Sequence, residues 1–224
     1  TFILGSDQFG RDVLSRIIFG ARVSLSVGIC ASTLSLLIGV LLGGVAGFFG
    51  GHIETFIMRL TDIMFGFPVL LFLIAITTVF EPNLMVVFIA IGVVTWPGMA
   101  RLVRGQVLSI KTQEYVLAAR ALGLVSGDVL WKHVFPNCIS PIIVAYTLGV
   151  GSAILAEASL SFLGLGAQPP TASWGSMISL GKDFIRTAPW ISVAPGAVIA
   201  ITVLGFNLVG DSIRDHLDPK MNSK

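Results

Sequence analysis

The sequence predicts an all-α integral membrane protein, folded as a polytopic bundle of helices with five spans in this chain. Of its 224 residues, 54% are hydrophobic and only 12% are charged, whereas a soluble domain carries about 25% charged residues. The apolar residues are gathered into stretches that approach the roughly 20 residues a helix needs to cross a bilayer. Helices are expected because an open sheet leaves backbone groups unsatisfied in lipid. The five predicted spans are 23–49, 62–80, 84–100, 138–161 and 189–210.

The first span carries a glycine at every fourth position. Glycines at this spacing lie on one face of a helix, where they let a neighbouring backbone approach closely. We therefore predict a helix-packing face, and a substrate path along the same groove is the alternative. Its members are Gly39, Gly43, Gly47 and Gly51.

Prolines interrupt the second and third spans at Pro68 and Pro97. Each removes a helical hydrogen bond and favours a kink. Only the residues "EPN" at 81–83 separate the two spans, which predicts a tight helical hairpin. Near the start of the second span, Asp62 follows Arg59 by three residues, a spacing that predicts a local ion pair.

The polar loop 101–137 between the third and fourth spans contains a predicted amphipathic helix. The i, i+3, i+4, i+7 pattern of a helix is followed by the apolar residues Tyr115, Ala118, Ala119 and Leu122. The two alanines give this face a shallow profile, which would let the surface of another protein come close. The alternative is a helix that lies in the membrane interface.

The ends of this helix and of the one after it also have sequence signals. Gly123 stands where a left-handed residue would end the first helix. Ser126 can cap a second short helix with Asp128 in its first turn. Pro136 is expected to end that second helix before the next span begins. The loop is therefore predicted to be a compact helix–turn–helix.

Glu157 is the acidic residue that stands out in the fourth span. An ionisable group within a span is a functional candidate, so we retain an intramembrane role for it as a hypothesis. At a rise of 1.5 Å per residue it lies about 28 Å from Cys138, close to the outer interface, which favours a hydrogen-bonded structural carboxylate instead. Cys30 and Cys138 lie in or beside apolar runs and are expected to be buried and reduced.

The loop 162–188 between the fourth and fifth spans is rich in Gly, Pro and Trp. This composition predicts an ordered cap at the membrane surface. Trp174 and Trp190 are predicted interface anchors.

The distribution of Lys and Arg orients the chain by the positive-inside rule. Nine basic residues lie on the side of loop 101–136 and five on the opposite side. The loop and the tail 211–224 are therefore predicted to be cytoplasmic, and the segment 1–22 to be extracytoplasmic and to lead into the first span. This arrangement favours one more span upstream of Thr1, which would make six in the complete protein.

Patterns typical of an enzyme are missing from the sequence. The three histidines, His52, His133 and His216, lie in different segments without the spacing of metal ligands. There is no glycine-rich "GxxxxGK[ST]" loop to hold a nucleotide. We therefore expect no catalytic residue, metal site or cofactor on this chain and no nucleic-acid partner; if ATP drives the protein, another chain must bind it.

The stretch "LAARALGLVSGDVLWKHVFPN" resembles the cytoplasmic EAA loop of bacterial ABC-importer permeases. That pattern is Glu-Ala-Ala, three residues, Gly, nine residues, Ile, one residue, Leu and Pro. The residues that match at the right spacing are Ala118, Ala119, Gly123 and Pro136. Three positions depart from it, with Leu117 in place of Glu, His133 in place of Ile and Phe135 in place of Leu.

Six further stretches resemble the C-type permease subunit of dipeptide, oligopeptide and nickel importers, and they extend over nearly the whole chain. They are "LGSDQFGRDVLSRIIFGARVSL", "GFFGG", "IMRLTDIMFGFP", "WPGMARLVRGQVLS", "ILAEASLSFLGLGAQPPTASWG" and "FNLVGDSIRDHLDP".

The resemblance implies a bundle of the ABC-importer permease type, 23–210, in the bacterial inner membrane, forming half of a heterodimeric translocation path. The implied partners, besides membrane lipid, are a homologous permease, two cytoplasmic ATPase subunits that bind ATP and Mg, and an extracytoplasmic solute-binding protein. Loop 101–137 would couple to an ATPase subunit. The coupling residues implied are Glu114, Leu117, Ala118, Ala119, Arg120, Gly123 and Pro136.

Two other classes of protein remain as alternatives at this point. A secondary transporter or channel should show intramembrane charges or paired broken helices, of which Glu157 is a weak sign. A membrane assembly factor would use the amphipathic loop to bind lipid or another membrane protein. Dipeptides, longer peptides, nickel complexes and other small solutes are all compatible with the sequence.

Overall fold

Long helices dominate the chain in a computed structural model, which describes residues 2–80 and 83–217. A π-helical turn covers Val129–Val134, and a 3₁₀ turn covers Lys182–Phe184. The α-helices are α1 (Val13–Phe49), α2 (Gly51–Phe65), α3 (Val69–Val79), α4 (Leu84–Ile110), α5 (Glu114–Ala121), α6 (Ser126–Asp128), α7 (Phe135–Phe162), α8 (Trp174–Gly181) and α9 (Trp190–Leu217).

Four helical segments among the described residues are long and apolar enough to cross a membrane: Val13–Phe49, Leu84–Ile110, Ser126–Phe162 and Trp190–His216. The prediction of one helix over 62–80 is wrong, because α2 and α3 meet at 86° and make a fifth span only as a bent pair. Pro68 stands at the break and caps α3. With 11 residues, α3 is about 16 Å long, too short to cross a hydrocarbon core of about 30 Å by itself.

Two helices extend well beyond the spans predicted for them. α1 begins at Val13 rather than at residue 23, because the Asp12 side chain caps it by accepting a 3.0 Å hydrogen bond from the Ser15 backbone. α4 continues to Ile110 rather than ending at residue 100, and Pro97 lies inside it. The predicted tight turn at 81–83 falls partly outside the described residues.

α1 lies at the centre of the bundle, where it packs most extensively on α4 and also on α7. The predicted glycine row explains the close approach to α4. A Cβ atom on Gly39 would lie 2.5 Å from the Met99 side chain, and one on Gly43 would overlap the backbone of Ala100. Gly47 faces Val107 in the same way. Gly51 is not part of this row, because it begins α2 with a φ of +58° and has nothing packed against it.

The loop 162–188 forms a cap that contains α8. Trp174 is not the interface anchor that was predicted, because it is 2% exposed and its indole Nε1 donates a 3.0 Å hydrogen bond to the Ile17 carbonyl. Trp190 is half-exposed and donates to the Ser6 carbonyl. The prediction for Cys30 is also wrong, since this residue is exposed on the bundle, whereas Cys138 is buried.

Candidate functional site

The predicted amphipathic helix is α5, and it turns a different face inward from the one expected. Val116 and Ala119, three residues apart, are buried against the bundle. Tyr115, Ala118 and Leu122 are exposed. Ala118 and Ala119 therefore lie on opposite sides, so Ala119 is not available to an external partner as the sequence pattern implied.

Gly123 ends α5 in the left-handed conformation that the sequence predicted, with a φ of +82°. The backbone N–H of Gly123 donates to the Arg120 carbonyl at 3.0 Å, and that of Leu124 donates to the Ala119 carbonyl at 3.3 Å. This pair of bonds is a Schellman motif, which satisfies carbonyls at a helix C-terminus. The turn after α5 is thus fixed by backbone hydrogen bonds.

The second helix of the loop does not end at Pro136 as predicted. α6, the π-helical turn and α7 follow one another without a break from Ser126 to Phe162. The Phe135 N–H reaches the Leu130 carbonyl, five residues back. Proline has no N–H to donate, and it is accommodated here in the first turn of α7, directly after the wider π turn. The predicted Ser126 cap is also wrong, because Val125 is the N-cap and no side chain caps the helix.

The buried side of α5 packs in an apolar cluster together with residues of other helices. Val116 is fully buried there with Phe48 of α1, Val103 and Val107 of α4, and Phe135 of α7. The Arg120 guanidinium lies 4.9 Å from the centre of the Phe48 ring, a cation–π contact. α5 packs mainly on the π-helical turn that leads into α7, and the apolar cluster around Val116 also includes residues of α1 and α4.

Ion pairs tie α2 to α4 at the same end of the bundle. Asp62 pairs with Arg101 at 2.5 Å, so the predicted local pair with Arg59 is wrong. Arg101 also lies 4.2 Å from the centre of the Phe65 ring. Glu54 accepts a 2.7 Å hydrogen bond from Nε of Arg104.

Glu157 lies at the opposite end of α7, inside a network of hydroxyl groups. Its carboxylate is fully buried and accepts hydrogen bonds of 2.6 Å from Ser161 and 3.0 Å from Ser24 of α1. The Ser173 hydroxyl donates to Ser161 at 3.1 Å, and the Trp174 N–H donates to Ser24 at 3.3 Å. The carboxylate thus joins α1, α7 and the start of α8, which favours the structural interpretation of Glu157. Sequence reasoning missed Ser24 and Ser173, which carry no pattern that marks them.

The described residues contain no group of three His, Cys, Asp or Glu side chains placed to hold a metal ion. These residues form a helical bundle with an amphipathic helix packed at one end and an ordered cap at the other.

The chain belongs to the family of binding-protein-dependent transport system inner membrane components, whose match covers residues 39–223. It is therefore a multi-pass inner-membrane permease subunit of an ABC importer.

Relatives and solved structures agree with this assignment. The chain is 48% identical to the dipeptide transport system permease protein DppC of Alkalihalophilus pseudofirmus, over 98% of this chain and 72% of the relative. It is 46% identical to the oligopeptide transport system permease protein OppC of Bacillus subtilis, over 97% of this chain and 71% of the relative. The fold matches a chain of the inward-facing MetNI methionine ABC transporter with a TM-score of 0.77 at 17% identity, over 92% of this chain and 97% of that chain.

Proposed function

We propose that this chain is one of two homologous permease subunits of an importer for dipeptides or oligopeptides. The two closely similar relatives described above carry dipeptide and oligopeptide transport in their names. In this proposal two cytoplasmic ATPase subunits bind ATP and Mg, and an extracytoplasmic solute-binding protein delivers the peptide. The chain itself supplies half of the translocation path.

The proposal rests on the contrast between the two sides of α5. Its inner side is fully buried at Val116. Its outer side and the turn after it expose large apolar side chains, with Leu122 82% and Val125 73% exposed. Apolar side chains grouped on an exposed surface mark a site of interaction. An ATPase subunit seated on this face would bury Tyr115, Leu117, Ala118 and Leu122.

The coupling residues divide into three groups in this proposal. Leu117 and Ala118 belong to the outer side, with Glu114 at the start of α5, and contact the ATPase. Ala119 and Gly123 act from within, Ala119 by packing inward and Gly123 by shaping the turn. The remaining two are Arg120, which holds α5 to Phe48, and Pro136, which begins α7.

Coupling then follows from the continuity of the structure. Closure of the ATPase subunits moves α5, and the apolar cluster around Val116 passes that movement to α1, α4 and α7. The permease shifts between inward-open and outward-open states because the ATPase surface fits one position of α5 better than the other. ATP hydrolysis takes place on the partner chains.

The test replaces Leu122 with aspartate in the complex reconstituted with its ATPase subunits. We expect the ATPase to bind at least tenfold more weakly, as at a binding hot spot, and ATP-driven peptide uptake to fall with it. Leu163→Asp is the matched control, because Leu163 is also exposed but lies at the other end of α7. Leu122 is a cleaner position than Gly123, where any side chain is strained by the positive φ.

The competing interpretation places the outer face of α5 in the membrane interface. A photo-cross-linker at position 122 separates the two. Cross-links to the ATPase subunit in at least one nucleotide state support coupling, whereas cross-links to lipid alone in every state contradict it.

A further inference from the structure

A cavity of about 310 Å³ lies at the end of the bundle opposite α5. One wall is the N-terminal segment and the start of α1, which contribute Phe9, Arg11 and Arg16. The other wall is the end of α7, which contributes Ser161, and the cap, which contributes Gln168 among others. By the positive-inside rule this end is extracytoplasmic.

The charged residues that line the cavity are both arginines, Arg11 and Arg16. Nε of Arg11 lies 2.7 Å from Oδ2 of Asp7, and Nε of Arg16 lies 3.6 Å from the same oxygen. The other oxygen of Asp7 accepts the backbone N–H groups of Phe9 and Arg11. Asp12, the next acid along the chain, caps α1 through Oδ2, which accepts from Ser15, and among the described residues both arginines form their ion pairs with Asp7. Two guanidinium groups therefore share the Asp7 carboxylate.

The hydrogen-bonding capacity of these arginines is not used up by the described residues. Nη2 of Arg11 is buried and has no acceptor among them. Arg16 is only 14% exposed, and its contact with Asp7 is too long for a hydrogen bond. A guanidinium group pairs with a carboxylate through two parallel N–H···O hydrogen bonds, and the carboxylates of Asp and Glu are the anionic side chains that an unmodified protein offers.

We propose that this cavity receives an acidic side chain of the solute-binding protein when that protein docks on the permease. The inference rests on the proposed function, since it requires such a partner. The volume is at the lower limit for a small-molecule site and suits a single side chain. The cavity is lined by the segment before α1, the start of α1, the end of α7, the loop after it and α8. Residues of α3, α4 and α9 do not line it. The cavity is thus separate from the hydroxyl-lined space at mid-depth between α1, α4 and α7, where Ser35 and Thr95 lie.

The position of Ser161 gives docking a route into the bundle. Ser161 lines the cavity, and its hydroxyl group donates a 2.6 Å hydrogen bond to the Glu157 carboxylate. An acidic side chain that enters the cavity comes next to the network that joins α7 to α1. Docking on the outer side can therefore alter the contact between α7 and α1, the two helices whose inner ends lie in the apolar cluster with α5.

The test measures the dissociation constant of the solute-binding protein for the nucleotide-free membrane complex in nanodiscs. Arg16→Gln should weaken binding about tenfold at low salt, and the binding should become less sensitive to ionic strength because one charge pair is lost. Arg16→Lys, which keeps the charge, should restore part of the affinity. Arg186→Gln is the matched control, because Arg186 is an exposed cation of the same cap that does not line the cavity. An unchanged constant for a folded Arg16→Gln complex, or equal losses in Arg16→Gln and Arg186→Gln, overturns the proposal.

Two further measurements separate a carboxylate of the binding protein from one of the transported solute, and failure of this inference from failure of the proposed function. The α-amide of N-acetylglutamate, whose only carboxylate is that of the side chain, should compete with the binding protein for the unmodified complex and not for Arg16→Gln, whereas the α-amide of N-acetylglutamine, which has no carboxylate, should not compete for either. If Arg16→Gln raises the KM for peptide and leaves binding-protein affinity intact, the cavity serves the solute and the proposal is wrong. Because docking is measured without nucleotide, loss of ATP-driven uptake in the unmodified complex would contradict the proposed function alone.

Discussion

The carboxylate of Glu157 on α7 accepts a 3.0 Å hydrogen bond from the hydroxyl of Ser24 on α1, across 133 positions of sequence. Both groups are buried. Ser24 in turn accepts the backbone N–H of Trp174, the first residue of α8. The contact between two long helices is therefore also one of the polar contacts that fix the start of the cap on the bundle, together with the hydrogen bonds of Ser173 to Ser161 and of the Trp174 indole to Ile17.

Replacement of Glu157 by leucine should destabilise the permease by roughly 2–4 kcal/mol. The hydroxyl groups of Ser24 and Ser161 would lose their acceptor inside the bundle, and unsatisfied buried groups are costly. Glu157→Gln should cost much less, because its amide has a similar size and still offers one acceptor and donors. Thermal unfolding of the purified complex checks the order. Equal stability of the leucine and glutamine variants would show that the network contributes little.

Gly43→Ala should destabilise the bundle by roughly 1–3 kcal/mol, the usual cost of overpacking. The added methyl group would overlap the backbone of Ala100 on α4. Gly105→Ala is the matched control, because Gly105 is helical and has nothing within 4 Å of an added Cβ atom. The control should be neutral or more stable by up to about 1 kcal/mol, since alanine favours helix. Similar effects of the two changes would contradict the close packing of α1 on α4.

Val116→Ala should loosen α5 and raise the number of ATP molecules hydrolysed per solute transported. The change removes two methyl groups from a fully buried position, which costs about 2 kcal/mol. Val193→Ala makes the same change at an exposed position of α9, outside the proposed ATPase surface, so it should alter neither the stability of the permease nor the ratio of ATP hydrolysis to uptake. Hydrogen exchange of the α5 amides and the ratio of ATP hydrolysis to uptake are the two measurements. Unchanged exchange in Val116→Ala would show that α5 is held by other contacts.

Asp7 should contribute stability at neutral pH that is lost only in strong acid. Burial raises the pKa of Asp7, but the backbone N–H and guanidinium of Arg11 and the backbone N–H of Phe9 together hold this pKa below its ordinary value, which is about 3.9. A lowered pKa contributes stability above the unfolded value, and the contribution disappears as pH falls through the folded value. The stability difference between the unmodified protein and Asp7→Asn should therefore be constant from about pH 5 to 8 and shrink below about pH 4. Thermal unfolding across this range tests it, and a difference that grows in acid would contradict it.

The helical class and most of the spans could be predicted from hydropathy, but the effect of each proline could not. Pro68 stands at an 86° bend between α2 and α3, Pro97 lies inside α4, and Pro136 sits in the first turn of α7 after a π turn. The residue is the same in each case. What differs is whether neighbouring backbone can supply alternative hydrogen bonds, and this depends on packing that no local pattern records.

The sequence predicted where the candidate site lies along the chain, but not which face of α5 is buried and which is exposed. Gly123 ends α5 as predicted because a left-handed helix end is a local backbone property. The orientation of α5 was missed, because Val116 is buried in the cluster that contains Phe48, and Ala119 is buried on the same side of the helix. The partners of Glu157 lie on α1 and α8, and distant hydroxyls of this kind leave no periodic signal.

The unbroken helical path from Ser126 to Phe162 has a geometric consequence. With 37 residues it is about 55 Å long, much more than the roughly 30 Å of the hydrocarbon core, so both of its ends reach past the lipid tails. A tilt of only about 5° about its midpoint moves those ends by about 2 Å in opposite directions. Movement of this helix as one body would displace Trp131 and Phe162 in opposite directions, without a separate relay through the bilayer.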